Sequence, residues 1–137
     1  LLHGGWMHLI FNGVMMLALG TFFERQYGTQ RTLGFFMLCS LGGALTYMAF
    51  SPFSNIPVIG ASGGISGLFS GALILMLRQG YIRMSPRFGF WPVLIFWGIF
   101  MSVPGLLLGE PVSWQSHLGG YVTGIALVLG FERKFNR

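Results

Sequence analysis

Apolar and polar positions fall in long blocks along the chain, and five of these blocks are apolar. Each is close to the roughly 20 residues that a helix needs to cross the hydrocarbon core of a bilayer. Helices are also the only open structure that satisfies every backbone polar group in lipid. The pattern therefore predicts an all-α membrane protein, a polytopic helical bundle with five transmembrane helices in a single domain, residues 1–137. The predicted spans are about Trp6–Phe23, Leu33–Phe50, Val58–Leu77, Phe88–Leu108 and Val112–Phe131.

The amino-acid composition agrees with an exterior that faces lipid. Apolar residues make up 53% of the chain and charged residues only 8%, whereas a soluble domain has about 25% charged residues. The net charge of +5 raises the question of nucleic-acid binding, but the basic residues form short clusters between apolar blocks and not one continuous face. The lipid bilayer is thus an expected partner, and nucleic acid is not.

The connections between the blocks carry an asymmetric charge. All eight Lys and Arg residues lie between blocks one and two, between blocks three and four, or after block five. A chain that crosses the membrane at each block places these three segments on one side. Basic residues favour the cytoplasmic side, so the first, third and fifth helices are expected to begin near the outer face.

Polar side chains interrupt the apolar blocks near the starts of these same three helices, at a similar expected depth. His8 and Asn12 are four residues apart, so they share one helical face. Polar groups within a membrane usually face the bundle interior or a water-filled cavity. A single one of them is commonly an interhelical hydrogen-bonding group, but convergence from three helices favours a reaction centre. The residues concerned are His3, His8, Asn12, Ser62 and His117.

Glycines recur every four residues beside Ser62 and His117. Such rows of small residues let two helix backbones approach closely. If the rows face each other, the serine and histidine come within hydrogen-bond reach, which would activate a hydroxyl that is otherwise a poor nucleophile. Plain helix packing is the alternative interpretation of the same rows. The rows are Gly63, Gly67 and Gly71 in the third helix and Gly120 and Gly124 in the fifth.

Three further hydroxyls lie within the apolar blocks, and we expect each to bond to its own backbone. They are Thr46, Ser70 and Thr123.

Metal chemistry is the main rival explanation of the histidines. The sequence has no H-E-x-x-H motif, and its three acidic residues are not expected to join the cluster. A zinc site needs three or four protein ligands, and the single cysteine, Cys39, excludes a cysteine cluster. We therefore expect neither a metal ion nor another cofactor.

The polar and glycine positions resemble those of one known family, the rhomboid proteases. His3–Asn12 resembles the family's H-x-x-x-x-H-x-x-x-N segment, and Gly20–Gly28 resembles its G-x-x-x-E-x-x-x-G signature. Gly60–Gly63 is similar to its G-x-S-G nucleophile motif, and His117–Gly124 to its H-x-x-G-x-x-x-G helix. Each motif is weak by itself, but four in the right order, on the expected sides of the membrane, are specific.

The resemblance implies a fold and roles for the site residues. The family has six helices, so the chain is expected to be an N-terminally truncated domain that lacks the first helix and its following loop. Ser62 would be the nucleophile and His117 the general base and then acid. His8, Asn12 and Gly60 would form the oxyanion site. The residues expected to support them are His3, Gly63 and Gly120.

The resemblance also implies a substrate class and a location. The family cleaves transmembrane segments of other membrane proteins near the outer face, so such proteins are the expected partners. The expected location is a bacterial inner (plasma) membrane, with the basic loops in the cytoplasm. The chain departs from the family at Ser66, where many relatives carry an aromatic residue stacked on the catalytic histidine; Tyr121 is a candidate to replace it.

Two other functions compete with the protease. A non-catalytic rhomboid-like protein would bind transmembrane client helices, and such proteins typically lack the serine or the histidine. A channel or transporter would need polar residues that continue towards the cytoplasmic side. The segment Gly13–Leu19 of the first helix has none, so a pore is not expected.

Overall fold

The computed structural model describes residues 5–53, 61–89, 91–108 and 113–135, and its regular structure is helical. The predicted five-helix, all-α architecture is confirmed. The ends differ from the predicted spans by up to four residues: polar residues extend α1 at its end and α2 at its start, whereas α3, α4 and α5 begin later than predicted. The helices are α1 (Trp6–Tyr27), α2 (Thr29–Phe50), α3 (Ser62–Arg78), α4 (Trp91–Leu108) and α5 (Trp114–Phe135).

The largest difference lies between α1 and α2, where a longer polar connection was expected. Gly28 alone separates the two helices, with a φ of 80°. Glycine adopts this left-handed region without the steric cost that a Cβ imposes. The Thr29 hydroxyl donates to the Glu24 carboxylate across the turn at 2.5 Å. The polar residues predicted to lie in a loop therefore belong to the helices and join them tightly.

Helix α3 forms the centre of the bundle. It packs against α1, α2 and α5, and 12 of its 17 residues are buried, compared with three of 22 in α1. Near its C-terminal end, aromatic side chains fill the core, with Phe23 and Phe35 at a centroid distance of 4.7 Å. Near its N-terminal end, its glycines bring the backbones of neighbouring helices close as well as their side chains.

Small residues bring α2, α3 and α5 together at that N-terminal end. A Cβ on Gly120 would collide with the Gly63 carbonyl oxygen, and one on Gly124 with that of Gly67. Gly43 of α2 lies against the same region, because its Cβ would come 3.5 Å from the Gly63 Cα. The paired positions advance together along the chain, so α3 and α5 run parallel with their backbones in contact.

Helix α4 lies at the edge of the bundle and is attached by aromatic rings. The ring of Trp97 stacks on that of Phe69 in α3, with a centroid distance of 3.9 Å and an interplanar angle of 6°. The ring of Phe100 contacts that of Phe11 in α1, with a centroid distance of 5.2 Å. Most of its other described side chains are exposed and apolar. Its contact with α5 is sparse.

Exposed apolar side chains cover much of the described surface, as a lipid-facing protein requires. By length and composition, two helices in the described ranges are sufficient for a membrane span, α1 and α2. The apolar segments Ser62–Arg78 and Trp91–Met101 are shorter.

Candidate active site

Ser62 is the first residue of α3, as the glycine-rich sequence around it predicted. It follows Ala61, and the first hydrogen bond of the helix runs from the Ile65 amide to the Ala61 carbonyl. The amides of the first turn have no partner within the helix and carry the positive end of its dipole. The Ser62 side chain is only 9% exposed, so its hydroxyl lies beside backbone donors in a nearly water-free setting.

His117 lies in the first turn of α5, directly beside this serine. The Ser62 Oγ and the His117 Nε2 are 2.9 Å apart. With the ring neutral and its proton on Nδ1, Nε2 accepts the hydroxyl proton of Ser62. The preceding residue, Ser116, packs against the backbone of Gly63. The close approach of α3 and α5 thus brings a nucleophile and a base into hydrogen-bond contact.

Helix α1 reaches the same level as the Ser62–His117 pair. The side-chain amide of Gln79 donates to the side-chain oxygen of Gln26 at 3.5 Å, so the C-terminal ends of α3 and α1 lie side by side. Ser62 is 17 residues before Gln79, and 17 residues before Gln26 is Leu9. At about 1.5 Å rise per residue in each parallel helix, Ser62 is level with the turn between His8 and Asn12.

The two predicted oxyanion residues of α1 face inward at this level. His8 is partly buried, one turn before Asn12 on the same face of α1. Asn12 is 3% exposed, and its amide group has no hydrogen-bond partner among the described residues. Buried amide groups are normally paired, so the Asn12 side chain is an exception among the described residues. His3 and Gly60, also predicted for this site, lie outside the described residues.

The described residues offer no metal site, since no three His, Cys, Asp or Glu side chains among them lie together. The acidic Glu24 is at the opposite end of α1 from His8.

The match to a protein family decides how this arrangement is to be understood. The Rhomboid domain family model matches residues 1–134. The chain belongs to the rhomboid family. Rhomboid domains are helical bundles in the membrane, so the protein is an integral membrane protein.

Similar proteins occur in bacteria, animals and plants. Rhomboid protease GluP of Bacillus subtilis is 33% identical over 137 residues, which cover 96% of this chain and 25% of that protein. Rhomboid-related protein 2 of Mus musculus is 28% identical, with 93% of this chain and 44% of the relative covered. RHOMBOID-like protein 4 of Arabidopsis thaliana is 32% identical, with 95% of this chain and 31% of that protein covered.

The chain spans less than half the length of these three relatives. No solved structure gives a significant match.

Ser66 occupies the position at which the resemblance led us to expect an aromatic residue. Ser66 is fully buried one turn after Ser62, and its hydroxyl has no hydrogen-bond partner in the described part of the chain. Tyr121 is also buried, and its ring packs beside Phe69 at a centroid distance of 6.3 Å. The described ring contacts of Tyr121 therefore join it to the aromatic group that holds α4.

The three hydroxyls expected to bond to their own backbone differ in outcome. Thr46 and Thr123 each donate to a carbonyl four residues earlier, at 2.8 Å, as expected. Ser70 also reaches its own helix at Gly67, but it donates in addition to the Tyr121 carbonyl of α5 at 2.7 Å. For Ser70 the expectation was therefore incomplete.

The contribution of α2 to the site was missed altogether. Gly43 allows α2 to reach the place where Ser116 meets Gly63. The signal in the sequence was the pair Gly42-Gly43 within an apolar block, a typical small-residue contact.

Proposed function

We propose that this rhomboid domain is an intramembrane serine endopeptidase that cleaves transmembrane segments of other membrane proteins. The observation that carries the proposal is the 2.9 Å contact between the Ser62 hydroxyl and the His117 ring. A nucleophile within hydrogen-bond reach of its base is the geometric signature of an activated serine. The similarity to a relative named as a protease, GluP, supports the same conclusion.

The proposed reaction has two steps. His117 Nε2 takes the proton of Ser62 as Oγ attacks the scissile carbonyl, and it then gives that proton to the departing amine. This leaves an acyl ester on Ser62 and releases the first product. Water, deprotonated by His117, attacks the ester, and the proton returns to Ser62 as the acid product leaves.

The negative oxygen that forms in both steps needs hydrogen-bond donors. The Ser62 amide at the start of α3, the Asn12 amide group and the His8 ring are the proposed donors, with Gly60 shaping the same pocket. Donors placed in advance in a water-poor site are typically worth about 10²- to 10³-fold in rate for each group. The unpartnered, buried Asn12 side chain supports this role.

The charge distribution supports an orientation for the site. Arg25, Arg31 and Arg78 lie at the end of the bundle opposite Ser62, and Arg83 and Arg87 follow α3. By the preference of basic segments for the cytoplasm, Ser62 faces the outer side, in a bacterial inner membrane. A substrate helix would unwind there to present its backbone, with α4 beside the entry route.

Labelling with a fluorophosphonate probe tests the proposal. In the full-length protein in detergent, wild type should be labelled on Ser62, and Ser62→Ala should abolish labelling. His117→Ala should slow it at least about 100-fold, because the hydroxyl loses its base. Ser66→Ala is the matched control, since it removes a buried serine hydroxyl of the same helix, and it should be labelled like wild type.

Two results would contradict the proposal. A folded wild type that stays unlabelled points to a non-catalytic, client-binding protein, a type that exists in the family. Labelling without cleavage of any transmembrane segment in a reconstituted peptide library, read by mass spectrometry, would leave an activated serine that is not an endopeptidase.

A further inference from the structure

Among the described residues, a second side-chain hydrogen bond joins α3 and α5, deeper in the bundle than the Ser62–His117 contact. The Ser70 hydroxyl lies 2.7 Å from the Tyr121 carbonyl oxygen and 3.0 Å from the Gly67 carbonyl oxygen of its own helix. Ser70 is fully buried. A hydroxyl has only one proton, and the shorter, interhelical contact is the better placed of the two to receive it.

The glycine contacts set how closely α3 and α5 approach but leave freedom in their register. Gly63 meets Gly120 and Gly67 meets Gly124 through backbone atoms. These pairs interlock no side chains, although Ser116 and Val128 of α5 also pack against glycines of α3. One residue of slip is about 1.5 Å along the axis, which is enough to break a hydrogen bond with a 2.9 Å donor–acceptor distance.

A directional bond to the backbone removes this freedom. Tyr121 is one helical turn after His117, so the two residues lie on the same side of α5. A donor on α3 that holds the Tyr121 carbonyl therefore fixes both the height and the rotation of α5 near His117. Ser70 itself is two turns from Ser62 on the same helix. The residue that holds α5 and the serine that contacts His117 therefore both belong to α3.

We propose that Ser70 is a positioning residue for the Ser62–His117 contact: its hydrogen bond to the Tyr121 carbonyl sets the register of α5 against α3. The effect on reactivity rests on the proposed function, whereas the effect on geometry does not. Ser70 touches no reacting atom and acts only through α5.

The same helix supplies a matched control in Ser66. Both serines are fully buried in α3, but the Ser66 hydroxyl has no partner among the described residues. Replacing either serine with alanine removes one oxygen atom from the core. Only Ser70→Ala removes a bond between the helices, so any difference between the two variants reports that bond.

The first experiment separates reactivity from probe binding. In the full-length protein, kinact and KI for a fluorophosphonate are measured on the folded, monodisperse fraction of wild type, Ser70→Ala and Ser66→Ala. We expect kinact to fall about five- to thirty-fold in Ser70→Ala with KI within about twofold, because small displacements of catalytic groups are costly. Ser66→Ala should match wild type. Equal kinact values for both variants would overturn the proposal.

The second experiment needs no activity. NMR of isotope-labelled histidine side chains reports the His117 ring, assigned by its loss in His117→Asn. In Ser70→Ala the His117 signals should move towards their position in Ser62→Ala, where the serine contact is absent, and in Ser66→Ala they should stay in place. A wild-type His117 spectrum in Ser70→Ala would overturn the positioning role. A wild type that is never labelled would refute the protease, while this spectrum still decides the register.

Discussion

Helices α3 and α4 are both apolar, yet they are held in the bundle in opposite ways. Helix α3 is enclosed by three neighbours, and beside Ser62 its backbone touches the backbone of α5. Helix α4 lies at the edge, and the ring of Trp97 on Phe69 is its most intimate contact. Its described side chains bury only Trp97 and Met101, whereas most of α3 is buried.

The two kinds of contact have different tolerances. Backbone atoms cannot move aside without moving a whole helix, so the α3–α5 contact fixes how closely the two helices approach. Rings on flexible side chains can slide or turn at small cost, so α4 is able to shift against the bundle. The molecule thus places its candidate catalytic pair in its most rigid contact and leaves its loosest helix at the rim.

The largest expected effect comes from a methyl group in the rigid contact. Gly120→Ala drives a Cβ into the Gly63 carbonyl, and we expect the free energy of unfolding to fall by about 3 kcal/mol or more, since neither backbone can yield. Fluorophosphonate labelling should fall at least tenfold. The control is Gly98→Ala in α4, where a Cβ meets nothing within 4 Å. Equal thermal unfolding and labelling of both variants would show that the contact is not rigid.

A comparable but more local effect is expected from Trp97→Ala. Trp97 is 4% exposed, so removing its ring loses buried apolar area as well as the stack on Phe69, and the attachment of α4 should weaken by about 3 kcal/mol. Hydrogen exchange should therefore speed up about 100-fold in α4 and stay unchanged in α3 and α5. Trp91→Ala, which removes an exposed ring from the same helix, is the control. Faster exchange throughout the bundle would mean that α4 is part of the rigid unit.

The smallest effect is expected where α3 meets side chains and not backbone. A Cβ on Gly71 would approach the Cζ atoms of Phe23 and Phe35 at 2.6 and 2.9 Å, so side chains, and not a backbone, would have to shift. Gly71→Ala should cost about 1 kcal/mol in thermal unfolding. Labelling of the folded protein should match wild type, because Ser62 lies more than two turns away. A loss of stability and labelling as large as that of Gly120→Ala would show that the two halves of α3 tolerate an added methyl group equally poorly.

The sequence predicted the architecture well because helix formation in lipid leaves few alternatives. Apolar block lengths were sufficient to place five helices, and the glycine rows beside Ser62 and His117 were sufficient to suggest which two meet. The tight turn at Gly28 was missed, since Glu24 and Thr29 look like loop residues until their hydrogen bond is seen.

Other features of the site depend on tertiary contacts that no local pattern encodes. Helices that are apolar all round do not reveal which face is buried, so the role of Gly43 in α2 was hidden. A serine such as Ser70 has an acceptor within its own helix in any case, and only the packed bundle shows that a second one, from Tyr121, lies closer.

The short length of α3 has a consequence for the surrounding lipid. At 17 residues it is about 25 Å long, less than the roughly 30 Å of a hydrocarbon core. A lipid-exposed helix of this length would thin the bilayer around it, but α3 is shielded by its neighbours. Changes in bilayer thickness therefore act first on the lipid-facing helices α1, α2 and α4. Because α2, α3 and α5 are joined through close backbone contacts, we expect these three helices to tilt together, which would preserve the Ser62–His117 distance under hydrophobic mismatch.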